Sequence, residues 1–255
     1  MGNKLTEKNL WLLSSVITDQ TKLLLFCFHY AGGNASMYKD WYKYMPAQVA
    51  VCPIQLPGRS NRFKEPCYTD LSALIPALAE AIRPYLDRPF TFFGHSMGAL
   101  ISFELARYIR KVYNLLPIHM FVAGYHAPQL PDPGAPIFHL PDNEFLSELE
   151  KMNGTPKELL EHKELMEIML PLFRADFKLA DTYTYRQDEP LACSITAFGG
   201  SQDPEVSIKH IQAWKEQTVS SFQVHILEGD HFFIHSQQDK ILSIVSGFLS
   251  DLLKN

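Results

Sequence analysis

The stretch Phe90-Thr91-Phe92-Phe93-Gly94-His95-Ser96-Met97-Gly98-Ala99-Leu100-Ile101 decides how this chain is read. A short apolar run, Phe90–Phe93, has the character of a buried strand. It enters a G-x-S-x-G turn, Gly94 to Gly98, and an amphipathic helical run continues from there to Val112. The two glycines remove side chains where a strand must turn sharply into a helix. Such a turn lifts the hydroxyl of its serine above the sheet edge, with the helix N-terminus beneath it, where backbone N–H groups favour developing negative charge. In that setting Ser96 reads as a nucleophile on an elbow. The pentapeptide alone would equally fit a glycine-rich turn with an idle serine. The strand before it and the helix after it weigh against that.

Working outward, five further apolar runs read as strands: Leu23–Phe28, Val49–Leu56, Ile118–Gly124, Ser194–Phe198 and Gln223–Leu227. Their β-branched, Leu and Phe content, bounded by Gly, Pro or Asp, suits strands buried on both faces. Helical patterns over Leu71–Leu86, Gly98–Val112, Ser207–Thr218 and Lys240–Leu253 lie between or after them. This alternation predicts an α/β domain with a mostly parallel central sheet and helices on both faces. One domain over residues 1–255 accommodates it. The alternation breaks at about 128–190. That segment opens with Pro128, Pro131, Pro133, Pro136 and Pro141 and then turns helical. Asp142 is placed as an N-cap and Gly154 as a stop. Thr155-Pro156-Lys157-Glu158 reads as a capping box, and Pro171 as the opening of a further helix. The whole reads as a helical lid insertion. A plain packed helical layer fits the same apolar positions.

A serine hydroxyl needs a base, and the base an orienting acid. With an elbow of this kind the chain order is Ser, then Asp or Glu, then His. Of ten histidines, His231 in Glu228-Gly229-Asp230-His231-Phe232 sits just after the last strand, where a loop can hold it over Ser96. His235 follows in an H-x-x-x-H spacing, but the glutamate of a zinc-protease helix is missing, so no metal is expected. Asp203 closes the turn Gly199-Gly200-Ser201-Gln202-Asp203 after the preceding strand and is placed as the acid. Asp230 is the rival, disfavoured because adjacent side chains rarely face one another. The oxyanion hole needs two backbone donors. These are assigned to Met97, after the nucleophile, and Ala31 in His29-Tyr30-Ala31-Gly32-Gly33, with Tyr30 as the neighbouring alternative.

Composition narrows the classes further. The 255 residues are 46% hydrophobic and 20% charged, a globular balance, and the net charge of -5 offers no basic excess for nucleic acid. No apolar run approaches a membrane span of about 18 residues. Cys27, Cys52, Cys67 and Cys193 form no C-x-x-C pair and read as reduced thiols of a cytoplasmic protein. The polar N-terminus does not resemble a signal peptide, and Gly2 with Thr6 matches a myristoylation pattern only loosely.

Taken in order, these motifs resemble the type II thioesterases that accompany polyketide synthases and nonribosomal peptide synthetases. Phe28-His29-Tyr30-Ala31-Gly32-Gly33 is similar to their oxyanion loop, and Gln55-Leu56-Pro57-Gly58-Arg59 with Arg62 to their next motif. Gly94-His95-Ser96-Met97-Gly98 matches their elbow, and Pro171-Leu172-Phe173-Arg174-Ala175-Asp176 is similar to their lid-region motif. Ala197-Phe198-Gly199-Gly200 with Asp203, and Gly229-Asp230-His231-Phe232-Phe233, are similar to the acid and histidine loops. His29 departs from the family, which often has Pro or Phe there. The resemblance implies the α/β-hydrolase fold and hydrolysis of acyl groups from the phosphopantetheine arm of acyl or peptidyl carrier proteins through a serine acyl-enzyme. It implies no cofactor, a soluble carrier partner and a monomer.

Other functions stay open at this level: medium-chain fatty acyl carrier hydrolysis, general carboxylester or lipid hydrolysis, acyl transfer, or a non-catalytic scaffold. For a carrier of acidic character, the cationic loop Arg59-Ser60-Asn61-Arg62-Phe63-Lys64, with Lys39 and Lys43, is the expected docking patch. Internal pairing of Arg59 and Arg62 with carboxylates such as Glu65 is the competing reading.

Overall fold

Each of the apolar runs forms a strand in the computed structural model, which describes residues 9–13, 17–154 and 160–254. They are β1 (Leu23–Phe28), β2 (Val49–Pro53), β3 (Phe90–His95), β4 (His119–Ala123), β5 (Ser194–Gly200) and β6 (Phe222–Leu227). The sheet runs β2-β1-β3-β4-β5-β6, and every neighbouring pair is parallel. Residue alternation sorts the side chains into two buried layers. Phe26, Cys52 and Phe92 are in register and share one layer. Cys27, Phe93 and Phe121 share the other. The first layer packs under α1 (Leu71–Ile82) and α2 (Met97–Tyr113). The second packs under Tyr38, Trp41 and the apolar face of the C-terminal helix, Ile241, Leu242, Val245 and Leu249. Burying each Leu or Phe this completely contributes about 1.5–3 kcal/mol before entropy is counted. This is why strands in the centre of the sheet carry almost no polar residue. β6, at the edge, leaves Gln223 and Val224 exposed.

Local chemistry sets the element ends. Asp70 accepts from the Ser72 N–H at 2.6 Å and starts α1. That helix stops at Ile82, short of the expected Leu86, and a 3-10 turn over Arg83–Tyr85 follows, containing Pro84. β2 ends at Pro53 rather than Leu56, and Ile54 bridges to Leu12 of the N-terminal segment instead. The stretch from Ser207 splits into α5 (Ile208–Gln212) and a 3-10 turn over Ala213–Gln217.

Within the 128–190 segment lie α3 (Asp142–Lys151) and α4 (Lys163–Asp181). Phe145, Leu149, Met166 and Phe173 join Ile137 in a small core of their own. Three expectations are corrected here. Asp142 is the first residue of α3 and gives no side-chain cap. The turn after α3 reaches the left-handed region at Asn153, with φ 58°, rather than at Gly154. Pro171 lies inside α4 rather than opening it. Both Pro171 and Glu167 face solvent, so the carbonyl that loses its N–H partner there is not stranded in the core. The capping box over 155–158 lies outside the described residues.

The expected docking loop is also corrected. Arg59 and Arg62 are only 4% and 6% exposed. Arg62 donates to Glu65 at 2.9 Å and to the Gln55 carbonyl at 3.0 Å, and its guanidinium lies 4.2 Å from the centre of the Trp11 ring. Lys43 pairs with Asp40 at 2.7 Å. Arg59 and Arg62, held inward against carboxylates, cannot face a partner, whereas Lys39, Lys43 and Lys64 of the expected patch are exposed. Among the described residues, no helix is long and apolar enough to cross a membrane.

Candidate active site

In the sheet order, β1 lies between β2 and β3, so the chain leaves β1 toward one side and β3 toward the other. Parallel sheets open a crevice at the carboxyl ends of such strands. Here that crevice receives the loop after β1 and the turn after β3.

Ser96 stands at the tip of that turn with φ 52° and ψ -124°, a left-handed conformation that costs a non-glycine residue energy. The surroundings hold it there. Its N–H donates to the Ala123 carbonyl of β4 at 2.8 Å. Gly98, in the first turn of α2, lies so close to β1 that a Cβ would come within 2.1 Å of the Phe28 carbonyl oxygen. A glycine is therefore required where the elbow presses on the start of the 29–33 loop.

The structure brings Ser96, His231 and Asp203 into one hydrogen-bonded chain. His231 Nδ1 lies 2.9 Å from Asp203 Oδ2, and Nε2 lies 3.0 Å from the Ser96 hydroxyl. A carboxylate only accepts, so Nδ1 carries the proton and Nε2 is left to accept from Ser96. Asp203 is fixed in turn. Its Oδ1 accepts from the N–H groups of Glu205 and Val206 at 2.8 and 3.1 Å. Asp230 does something else: its Oδ1 accepts from the Phe232 N–H and its Oδ2 from the Asn153 amide, at 2.9 and 3.2 Å. Met97 is the first residue of α2, so its N–H has no acceptor within the helix. Ala31 and Met97 both line the cleft beside Ser96 and His231. That cleft, of about 290 Å³, is also lined by Met152 and Phe177 from the insertion.

Sequence reasoning missed two groups. His95, buried inside the elbow motif, donates from Nε2 to the His231 carbonyl at 3.0 Å. Burial, with the neighbouring His231, keeps its pKa well below 6.5, so it braces the histidine loop as a neutral ring. Glu205, two residues after Asp203, places Oε2 3.8 Å from His231 Nε2. Its position in the acid turn was the available signal. Burial pulls the His231 pKa down. The hydrogen bond that Nδ1 donates to Asp203 and the charges of Glu205, Asp203 and Asp230 outweigh that, and the net pKa is raised above 6.5. A base must be neutral to act, so the acid limb of the kcat/KM profile is expected above pH 6.5. Glu205→Gln removes one raising charge and should move the limb down. A limb at or below pH 6 in the unaltered protein, read with a small thioester, would contradict this electrostatic reading.

The comparisons agree in one direction. The model of the thioesterase domain family matches residues 24–249. Linear gramicidin dehydrogenase LgrE of Brevibacillus parabrevis is 56% identical over 246 residues, covering 95% of this chain and 94% of that protein. The gramicidin S biosynthesis protein GrsT of Aneurinibacillus migulanus is 45% identical, covering 94% of each. In structure, the type II thioesterase BorB from the borrelidin biosynthetic cluster superposes with a TM-score of 0.86 at 31% identity, over 95% of this chain and 98% of that one. No two glycines stand two apart anywhere in the chain, so a G-x-G-x-x-G dinucleotide fingerprint is lacking.

Proposed function

The chain belongs to the thioesterase domain family, and from that premise we propose that it is a type II thioesterase removing acyl or aminoacyl chains from the phosphopantetheine arm of carrier proteins. The observation that carries this reading is the chain of hydrogen bonds from Asp203 through His231 to Ser96, opening into a cleft beside Ala31 and Met97. Relatives named for gramicidin biosynthesis and a neighbour from the borrelidin cluster support the setting of peptide and polyketide assembly.

The chemistry follows from the parts. His231 Nε2 takes the Ser96 proton as Oγ attacks the thioester carbonyl. The N–H groups of Ala31 and Met97 hold the oxyanion, and the imidazolium returns the proton to the departing pantetheine thiolate. Water, deprotonated by His231, then attacks the acyl-enzyme and frees Ser96. Asp203 holds the imidazole tautomer throughout. In this reading the enzyme acts in the cytoplasm as a monomer, needs no metal or cofactor, and meets its partner as a soluble carrier.

The test is a panel of carriers loaded with acetyl, aminoacyl and longer acyl groups, each weighed by mass spectrometry after incubation. Carriers should lose the acyl mass faster than p-nitrophenyl esters of the same acids are cleaved. Fast cleavage of the esters with every carrier left loaded would instead mark a general carboxylesterase.

A further inference from the structure

The Arg59 and Asp176 motifs have no part in the chemistry above, yet their side chains meet beside it. Asp176, on α4, is 1% exposed. Its Oδ1 accepts from Arg59 Nη2 and its Oδ2 from Arg59 Nη1, both at 2.7 Å. The same Oδ2 also accepts from the Gly32 N–H at 2.8 Å, and Arg59 Nη1 also donates to the Gly33 carbonyl at 3.1 Å. The ion pair thus grips the loop after β1 by two consecutive residues. We propose that the Arg59–Asp176 pair is a positioning device for the oxyanion hole, setting the direction in which the Ala31 N–H points.

Peptide geometry carries the argument. In a trans peptide the C=O and N–H point to opposite sides, and the structure has no cis peptide bond among its described residues. The Ala31 N–H belongs to the peptide whose carbonyl is that of Tyr30. That carbonyl accepts from the Gly33 N–H at 3.0 Å and from His29 Nδ1 at 2.8 Å. With the carbonyl held by both, the Ala31 N–H must face the other way. The next peptide is fixed by its own N–H, through Gly32 to Asp176. Gly32 itself has φ +75°, and a Cβ there would come within 2.0 Å of the Phe173 ring. Phe173 and Asp176 are one turn apart on α4, so this helix both seats the loop and supplies its anchor. His29 is buried against the pair. Burial and Arg59 lower its pKa to about 4, so it serves as a neutral donor at ordinary pH. The charge balance is equally specific. A lone carboxylate here would repel the developing oxyanion, and Arg59 cancels it.

This inference rests on the reading of Ala31 as an oxyanion donor, and the test separates the two. Asp176→Asn cannot accept both the guanidinium fork and the Gly32 N–H. It should lower kcat about 10- to 100-fold, the scale of a misplaced oxyanion donor, with KM within about twofold. Because that variant leaves Arg59 buried without its charge partner, Arg59→Met combined with Asp176→Leu serves as the second. Replacing both members of a buried ion pair by apolar groups commonly preserves folding. The double variant should therefore melt near the wild-type temperature and show the same kcat loss. Wild-type kcat in a folded double variant would overturn the positioning role. So would a loss confined to KM or to Tm. If Ser96→Ala retains turnover, the catalytic reading fails first, whatever the clamp does.

Discussion

Ser96→Ala is expected to lower carrier-thioester turnover by about a million-fold while leaving the protein folded. The triad acts as a unit, so removing the nucleophile forfeits nearly all of its contribution, and only binding and the oxyanion donors remain. The fold is spared for a structural reason. The Ser96 side chain is partly open to the cleft, and among the described residues its hydroxyl bonds to His231 Nε2 alone. The turn is held by the Ser96 N–H on Ala123 and by the glycines, none of which the substitution touches. Tm should stay within about 2 °C, as for a substitution that leaves no cavity. Mass spectrometry of the protein after exposure to an acyl thioester provides the second readout. The acyl adduct should form on the native chain and be absent from the variant. Turnover within tenfold of the native rate would remove Ser96 from the mechanism.

Asp203→Asn should cost about ten-thousand-fold in kcat, whereas Asp230→Asn should cost less than about fivefold. The asymmetry follows from which oxygens are already engaged. Asp203 Oδ1 accepts two backbone N–H groups, from Glu205 and Val206, so an asparagine must keep its oxygen there. Its NH₂ is thereby turned to His231, where a donor meets Nδ1. The imidazole proton is driven to Nε2, and the ring can no longer accept from Ser96. Asp230 makes no such contact. An asparagine there keeps its oxygen on the Phe232 N–H and gives up the exposed bond from Asn153 and one of the smaller charges acting on His231. The measurement is kcat of both variants on one loaded carrier. If the order is reversed, Asp230 rather than Asp203 serves the imidazole.

The parts legible in the sequence were those encoded by near neighbours. The elbow declares itself within five residues, because steric crowding at a strand–helix turn admits only glycine at its ends. The strands of the sheet centre are legible because burial on both faces leaves unbroken apolar runs. His231 and Asp203 are legible from their places after strands. What escaped depends on residues far apart in the chain. Arg59 looks like part of a cationic surface loop because Asp176 is 117 positions away, whereas the pairing of Arg62 with Glu65, three residues on, is the competing reading the sequence did offer. Nothing local shows that a guanidinium will be buried. Pro171 reads as a helix start because proline lacks an N–H, yet the structure continues α4 through it, with solvent facing the carbonyl that loses its partner. His95 comes too early in the chain, at the end of a strand, to read as the base, although that position is what lets it hold the His231 carbonyl.

The spacing of the catalytic groups has a consequence for how the protein is made. The nucleophile precedes its base by 135 residues, and the anchor of the 29–33 loop trails that loop by 144. At translation rates of about 5–20 residues per second, the serine is synthesised roughly 7–27 seconds before the histidine. Until then the nascent chain carries a hydroxyl with nothing to deprotonate it, and before Asp176 is made the 29–33 loop has no anchor. The triad is therefore incomplete until the final loop is made, and a message broken before the last strand yields a chain with the nucleophile but without its base.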